Sequence, residues 1–224
     1  MFESRILNEF LPAYCQDPKR LYSLAGYKPE SNTVSSHDAR YFLQAIDGGL
    51  VIDSGGVRLR APQSRAFESL FWEGLKARSP RPITLWVEPV ITIGCIARLH
   101  FEFGWPRECL GMQSARWEFD VTAYLPGRLE AEYIACEVKK TVKELDVLMA
   151  NMLVLCGQPE LDAKSIPAVQ MNAYKKVMGL RARRAPIFWA VGPDGESRVF
   201  NVSYLVDSKI SLRPTTMERL MYPS

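Results

Sequence analysis

The sequence predicts an α/β (α+β) fold in which a mixed central β-sheet is flanked by helices. Three observations point to this class. The chain has 224 residues, a length that suits one domain. Hydrophobic residues make up 47% of it, which is enough to build a buried core. Segments with helical and with strand-like apolar spacing follow one another in the order helix, strands, helix, helix, strands, which favours a sheet with helices on its faces.

The chain divides into a small N-terminal accessory region, residues 1–60, and a main domain, residues 61–224. Within the first region, residues 41–46 and 50–52 flank an Asp-Gly-Gly sequence, which predicts a hairpin. A second glycine-rich turn precedes a short predicted strand at 57–60. The main domain is expected to contain the function.

The main domain opens on residues 65–76, where Phe67, Leu70, Phe71 and Leu75 recur at helical spacing and predict an amphipathic helix. Two more helices are expected later, and the remaining elements are interpreted as strands. The predicted strands are 83–87, 90–93, 96–103, 117–124, 132–139, 187–191 and 199–205, and the later predicted helices are 141–156 and 169–183.

The composition limits which kinds of metal site and which cellular location are expected. The five cysteines are odd in number and contain no CxxC pair, so free buried thiols are expected rather than disulfides or a zinc site. With only two histidines, any metal must be held mainly by carboxylates, which favours Mg²⁺ or Mn²⁺. No stretch approaches the roughly 20 apolar residues of a membrane span, and residues 1–10 do not resemble a signal peptide. We therefore expect a cytoplasmic protein without a membrane partner.

One group of residues has the pattern of a catalytic centre. Glu137 and Lys139 lie two apart on a predicted strand and therefore share a face. Asp120 lies on the preceding strand, so a hairpin pairing would bring it near Glu137. Two close carboxylates are costly unless a cation lies between them, and a divalent ion there can activate a water and polarise a phosphate. Lys139 could orient or deprotonate that water, or neutralise charge in the transition state.

This pattern, an Asp followed by Glu-x-Lys with an acidic helix upstream, resembles the PD-(D/E)XK nuclease superfamily, and TnsA-type transposon endonucleases in particular. The resemblance covers roughly residues 65–205 and implies a restriction-endonuclease-like core and a Mg²⁺-dependent endonuclease. It implies catalytic roles for Asp120, Glu137 and Lys139, and for Glu68 as the helix acid, with Glu73 as a weaker candidate. The metal positions that it implies are Asp120, Glu137 and Val138. The residue before the Asp is Phe119 rather than the family's Pro.

DNA is the expected partner. Basic residues cluster after the Glu-x-Lys motif and again near residue 180, which is typical of a surface that contacts phosphates. Gln170 and Tyr174 resemble the QxxxY motif of RecB-like exonucleases and would share one face of a helix. The candidate nucleic-acid-binding residues are Lys140, Lys143, Gln170, Tyr174, Lys175, Lys176, Arg181, Arg183 and Arg184.

Other interpretations stay open at this point. The chain could use a nuclease-like fold only to bind DNA or a partner protein, or it could be an unrelated α+β binding module in which the motif is accidental. A protein partner subunit or a homodimer is compatible with each. A function in a mobile element or a defence system is what the resemblance implies, and the sequence does not decide between DNA and RNA.

Overall fold

A six-stranded mixed β-sheet forms the centre of the computed structural model, which describes residues 1–29, 33–114, 116 and 118–223. The strand order is β11-β10-β9-β8-β7-β6. Only β8 and β9 are parallel, and every other neighbouring pair in this sheet is antiparallel. The mixed α/β class predicted from the sequence is confirmed. The strands are β6 Leu110–Met112, β7 Val121–Tyr124, β8 Glu132–Val138, β9 Ile187–Val191, β10 Ser197–Tyr204 and β11 Ile210–Thr215.

Helices and two small sheets surround the central sheet. A π-helical segment, Ile6–Phe10, joins the first two helices. The α-helices of the described residues are α1 Phe2–Arg5, α2 Leu11–Gln16, α3 Ser36–Asp47, α4 Val87–Phe101, α5 Val142–Cys156 and α6 Met171–Arg183. The small sheets consist of β1 Ile52–Asp53, β2 Arg58–Arg60 and β3 Glu68–Ser69, and of β4 Phe71–Glu73 and β5 Ile83–Leu85.

The central sheet is buried on both faces. Alternate residues of a strand point to opposite faces, and in β8 the side chains of Ile134, Cys136 and Val138 join one cluster while Ala135 joins the other. The first cluster contains α4 and also side chains of residues 1–60, such as Phe42. The second contains the inner faces of α5 and α6. Glu137 has the same parity as Ala135, so it points toward α5 and α6.

The strands predicted at 90–93 and 96–103 are wrong, because one helix, α4, spans Val87–Phe101. Its residues from Pro89 to Leu99 are all buried. A helix that is apolar all round has no polar face to reveal its period, and its apolar run then looks like strand. Pro89 lies in the first turn, where a missing N–H is tolerated. Gly94 lies against α3, where a Cβ would be 3.3 Å from Tyr41 Cβ.

The helix predicted at 65–76 is also wrong. That segment forms β3 and β4, which pair with β2 and β5. Leu70 and Phe71 are buried, whereas Phe67 and Leu75 are exposed. The four apolar residues therefore do not form one buried face, and cross-strand pairing overrides their helical spacing.

The hairpin predicted around residues 47–49 is wrong as well, because α3 covers Ser36–Asp47 and the chain turns only after it. The helix starts at the N-cap Ser35, whose side chain accepts a hydrogen bond from the Asp38 N–H. α3 packs against α4 within the same apolar cluster as the central sheet.

Predictions for the second half of the chain are largely confirmed. The two later helices are α5 and α6, and the strands at 132–139, 187–191 and 199–205 correspond to β8, β9 and β10. Thr141 caps α5 by accepting a hydrogen bond from the Glu144 N–H at 3.1 Å. The predicted strand 117–124 is present from Val121, and Trp117 lies outside the described residues.

Candidate active site

Asp120 and Glu137 lie where β7 and β8 meet. Val121 pairs with Cys136 at the end of the ladder, and Asp120 and Glu137 are the next residue on either side of that pair. They are close enough for the charge of Glu137 to raise the pKa of Asp120. Two hydrogen bonds hold this end of the ladder. The Asp120 N–H donates to the Cys136 carbonyl at 2.9 Å, and the Val138 N–H donates to Asp120 Oδ2 at 2.8 Å.

Glu137 is only 1% exposed, and two ammonium groups neutralise it. Lys139 Nζ lies 2.7 Å from Glu137 Oε1 and also donates to the Val138 carbonyl at 2.8 Å. Lys176, which is 7% exposed, reaches down from α6 and places its Nζ 2.6 Å from Glu137 Oε2. The same ammonium donates to the Glu118 carbonyl. Glu137 therefore lies between two lysines, one from its own strand and one from a helix.

The charges of this cluster shift the pKa values of its members. Burial raises the pKa of Asp120 well above its usual value, and the nearby charge of Glu137 raises it further. Lys176 and Lys139 lower it but do not offset these two effects. This is the electrostatic situation that an additional cation relieves.

Lys139 keeps its proton. Burial by itself lowers the pKa of Lys139, but the charges of Glu137 and Asp120 outweigh that effect and the net pKa is raised. A lysine held in the ammonium form is suited to orient or stabilise negative charge and cannot accept a proton from water. The ammonium form fits two of the roles considered from the sequence, which are to orient the water and to neutralise charge in the transition state.

Two further acids approach the cluster from the other side. Glu68 is 6% exposed and accepts a hydrogen bond from Gln113 Nε2, while the Gln113 N–H donates to the Asp120 carbonyl at 2.9 Å. Burial raises the pKa of Glu68 to about 7, and the charge of Glu88 contributes to the rise. Glu88 Oε1 is 3.9 Å from Lys139 Nζ.

The acid on the upstream helix is therefore not the one expected. Glu68 lies on strand β3, whereas Glu88 lies in the first turn of α4. Glu88 had fallen between two predicted strands, 83–87 and 90–93, because the apolar run that follows it lacks helical periodicity. Glu73 is remote from this chemistry, since Tyr14 and Tyr22 donate hydrogen bonds to it at 2.7 and 2.9 Å.

Two open grooves flank the cluster. One has a volume of about 680 Å³ and is bordered by Glu88 and Lys139 at the cluster and by Lys140 and Lys143 at the start of α5. The other has a volume of about 600 Å³ and is bordered by Lys176 together with residues of α6 and its neighbourhood. Asn172 borders both grooves. The polar residues that complete the second groove are Arg116, Glu118, Tyr174 and Lys175.

Only some of the predicted nucleic-acid-binding residues border these grooves. Lys140, Lys143 and Lys175 are exposed there. Tyr174 borders the second groove, although its hydroxyl donates to the Leu161 carbonyl at 2.9 Å. Gln170 lies beside the first groove, where its amide is 3.5 Å from Asn151 Oδ1.

Three arginines of the second basic run are not brought to the grooves. Arg181 donates to the backbone carbonyls of Ser208 and Gln158, each at 2.7 Å. Arg183 forms ion pairs with Glu118 and, at 3.1 Å, with the buried Glu132. Arg184 lies over the ring of Tyr204, 4.5 Å from its centroid. Each guanidinium thus has a partner within the protein, and contact of these three arginines with nucleic acid stays a prediction.

Lys176 was predicted to contact nucleic acid, and the structure places it inside the cluster. A sequence signal for this position exists. Ala173, Val177 and Leu180 form the buried stripe of α6 at helical spacing, and Lys176 lies within that stripe. Gly179 completes the arrangement, because a Cβ there would be 2.9 Å from Glu118 Cβ. The close approach of α6 to the segment before β7 lets Lys176 reach Glu137.

The donor atoms suit a hard divalent ion in type. Asp120 and Glu137 offer carboxylates, and Val138 offers only its backbone carbonyl; all three are oxygen donors of the kind that Mg²⁺ takes. Burial, and after it the charge of Glu137, raises the pKa of Asp120, and a cation bound there would lower it. Within the described ranges, however, no three His, Cys, Asp or Glu residues are grouped as a ready metal site. An ion would have to share Glu137 with its two lysines.

Comparisons with protein-family models, with curated proteins and with solved structures found no match to this chain. None of the helices among the described residues combines the length and the apolar character needed to cross a membrane. The case for a function therefore depends on the geometry of the chain itself.

Proposed function

We propose that this chain is a metal-dependent endonuclease that hydrolyses phosphodiester bonds in DNA. The observation that carries the proposal is the carboxylate pair where β7 and β8 meet, Asp120 and the buried Glu137, with Lys139 Nζ 2.7 Å from Glu137. The three residues of the resemblance thus lie together at one end of a central strand, between two open grooves.

The proposed chemistry assigns one task to each group. Asp120, Glu137 and the Val138 carbonyl would hold Mg²⁺ or Mn²⁺, which when bound lowers the pKa of a water and polarises a phosphate. Lys139 stays an ammonium and stabilises negative charge at the reacting phosphate. Glu137 and the Val138 carbonyl would hold that ammonium in place, and Glu88 lies 3.9 Å from it at the border of the first groove.

The grooves support a polyanionic substrate. Lys140 and Lys143 are exposed beside Lys139, and Lys175 is exposed in the second groove, so cations flank the carboxylate pair on both sides. Lysines that track a groove neutralise backbone phosphates independently of sequence. The acids are recessed and the lysines are exposed, which lets a phosphate approach the site.

Cleavage of plasmid and short duplex DNA in Mg²⁺, Mn²⁺ and Ca²⁺ tests the proposal. Wild type should cleave in Mg²⁺ or Mn²⁺, whereas Asp120→Asn and Glu137→Gln should abolish cleavage and keep DNA binding. Glu130→Gln, at an exposed position between β7 and β8, is the matched control and should cleave as wild type does. Cleavage that persists in Glu137→Gln would place the active site elsewhere.

A second candidate is a nuclease-like fold that binds DNA without cutting it. The observation that favours it is that both oxygens of Glu137 lie within 2.7 Å of lysine ammonium groups, which can satisfy the carboxylate without a metal. In that case divalent ions should not raise the thermal midpoint. DNA binding that is the same with and without Mg²⁺, together with no cleavage of any substrate, would support this candidate.

A further inference from the structure

The β4–β5 ribbon has one buried face and one exposed aromatic face. Phe71, Ile83 and Leu85 are buried, whereas Trp72 is 59% exposed and Trp86 is 41% exposed. Large apolar rings are rarely left in water on both strands of the same ribbon, so this face differs from scattered surface residues.

The two tryptophans lie on the same face. Trp72 pairs with Thr84, and Thr84 and Trp86 are two apart on one side of the ribbon. The Trp86 N–H donates to the Leu70 carbonyl at 2.7 Å, which extends the register to the end of the ribbon. Trp72 and Trp86 are thus diagonal neighbours, with Cα atoms about 7–8 Å apart.

The end of the ribbon is cationic. Residues 74–82 contain Lys76, Arg78 and Arg81 and no acid. Lys76 and Arg78 are exposed and form no ion pair within the described part of the chain. The acid at the base of the ribbon, Glu73, points to the buried face, where Arg81 lies 2.8 Å from it. The aromatic face is therefore bordered by positive charge that nothing on the ribbon neutralises.

The same face adjoins the candidate active site along the chain. Trp86 is the N-cap of α4, and Glu88 follows two residues later. Glu88 borders the first groove together with Lys139. A polymer that leaves this groove past Glu88 would meet Trp86 first, then Trp72, and then the cationic end.

We propose that the aromatic ribbon, defined as Trp72, Thr84 and Trp86 with Lys76 and Arg78, binds unpaired nucleotides of the substrate. Bases stack on the two indoles, and the phosphates beyond Trp72 pair with Lys76 and Arg78. Stacking of this kind accepts any base, because every base has a π-face, but it requires that the face is not already covered within a duplex. The substrate class is therefore DNA that carries a single-stranded segment next to the cut, and this inference rests on the proposed nuclease function only for the word "substrate".

Binding measured without metal tests the inference separately from catalysis. A labelled 15-nucleotide oligothymidylate and a blunt duplex of equal length are titrated in EDTA, with fluorescence anisotropy and tryptophan quenching as readouts. The double variant Trp72→Ala/Trp86→Ala should lose single-strand affinity by about tenfold or more, with duplex affinity changed by less than about twofold. Lys76→Ala/Arg78→Ala should flatten the salt dependence of single-strand binding.

The control is Phe101→Ala, which removes another exposed aromatic ring, at the far end of α4, and should leave both affinities unchanged. Trp72→Phe should retain part of the affinity, and an unchanged thermal midpoint shows that the variants fold. Wild-type affinity of the double variant for the single strand, or no single-strand binding by wild type, would overturn the inference. A double variant that changes only the oligomeric state in sedimentation would assign the ribbon to a protein interface instead. Because no cleavage is scored, an inactive wild type would contradict the proposed function while leaving this result intact.

Discussion

Replacing Lys176 by Met removes one of the two cations that neutralise Glu137 and keeps the volume of the side chain. Lys176 and Glu137 are buried at 8% and 2% side-chain exposure, and their charged atoms are 2.6 Å apart. Lys176 also lowers the pKa of the neighbouring Asp120. The variant therefore leaves two buried carboxylates with Lys139 as the nearest remaining cation.

The expected cost follows from that burial. Removal of one partner from a buried ion pair costs about 3–5 kcal/mol, because an uncompensated charge remains. Since Lys139 still contacts Glu137, we expect the lower end, about 3 kcal/mol at pH 7, or about 6–12 °C in thermal midpoint for a domain of this size. Without Lys176 the pKa of Asp120 rises further, so the folded variant binds a proton more strongly. Its stability deficit should shrink as the pH falls and grow as the pH rises.

Thermal unfolding by circular dichroism at pH 5 and pH 8, with and without Mg²⁺, checks this reasoning. Lys175→Met is the matched control, because Lys175 is the exposed neighbour, and it should change the midpoint by less than about 2 °C. Mg²⁺ should raise the midpoint of Lys176→Met more than that of wild type, since the ion supplies the missing charge. A wild-type midpoint for Lys176→Met, or the same deficit at pH 5 and pH 8, would refute the assigned charge interaction.

Three further predictions follow from the same contacts. In the folded state the pKa of Glu68 is raised from its ordinary value of 4.5 to about 7, so folding favours the protonated carboxyl. The contribution of Glu68 to the free energy of unfolding is therefore complete below pH 4.5 and is lost as the pH rises through about 7. In urea unfolding, Glu68→Gln should thus be more stable than wild type by up to about 3 kcal/mol at pH 8 and equally stable at pH 4. The same gain in stability at both pH values would contradict this assignment. Arg183→Met should destabilise the fold by about 3 kcal/mol, because Glu132 stays buried without its partner. Its DNA affinity, measured by fluorescence anisotropy, should be unchanged. A variant with full stability and weaker DNA binding would instead show that Arg183 contacts DNA. Lys139→Met should lower kcat by about 100-fold or more while Mg²⁺ affinity in calorimetry is retained, and a normal kcat would remove it from the mechanism.

Local pattern predicted the central part of the site. Strand β8 is short, apolar and bounded by turns, and α5 and α6 have clear helical spacing, so each could be recognised within its own segment. The two-residue spacing of Glu137 and Lys139 on a strand is equally local. No contact with a distant segment is needed to conclude that these two side chains project from the same face of the sheet.

Where a segment depends on its neighbours, local pattern failed. α4 is buried on all sides by α3 and the central sheet, so its sequence lacks the polar face by which a helix is recognised. The segment containing Glu68 has helical spacing but is extended, because β2 and β5 pair with it. As a result, the sequence assigned the helix acid to Glu68, whereas in the tertiary structure Glu68 lies on strand β3 and Glu88 lies on helix α4.

The sequence by itself thus determined the strand with Glu137 and Lys139, the helices that follow it and the mixed α/β class, because apolar period and turn residues act over a few positions. Only the tertiary structure decided which charges meet. Asp120 lies near Glu137 where β7 and β8 meet, and Lys176 is buried against Glu137, while Arg181, Arg183 and Arg184 contact other groups of the protein. From sequence alone a lysine or arginine is expected to be exposed, because burial of its charge is strongly unfavourable without a partner. That partner often comes from a distant segment of the chain, which the sequence does not identify.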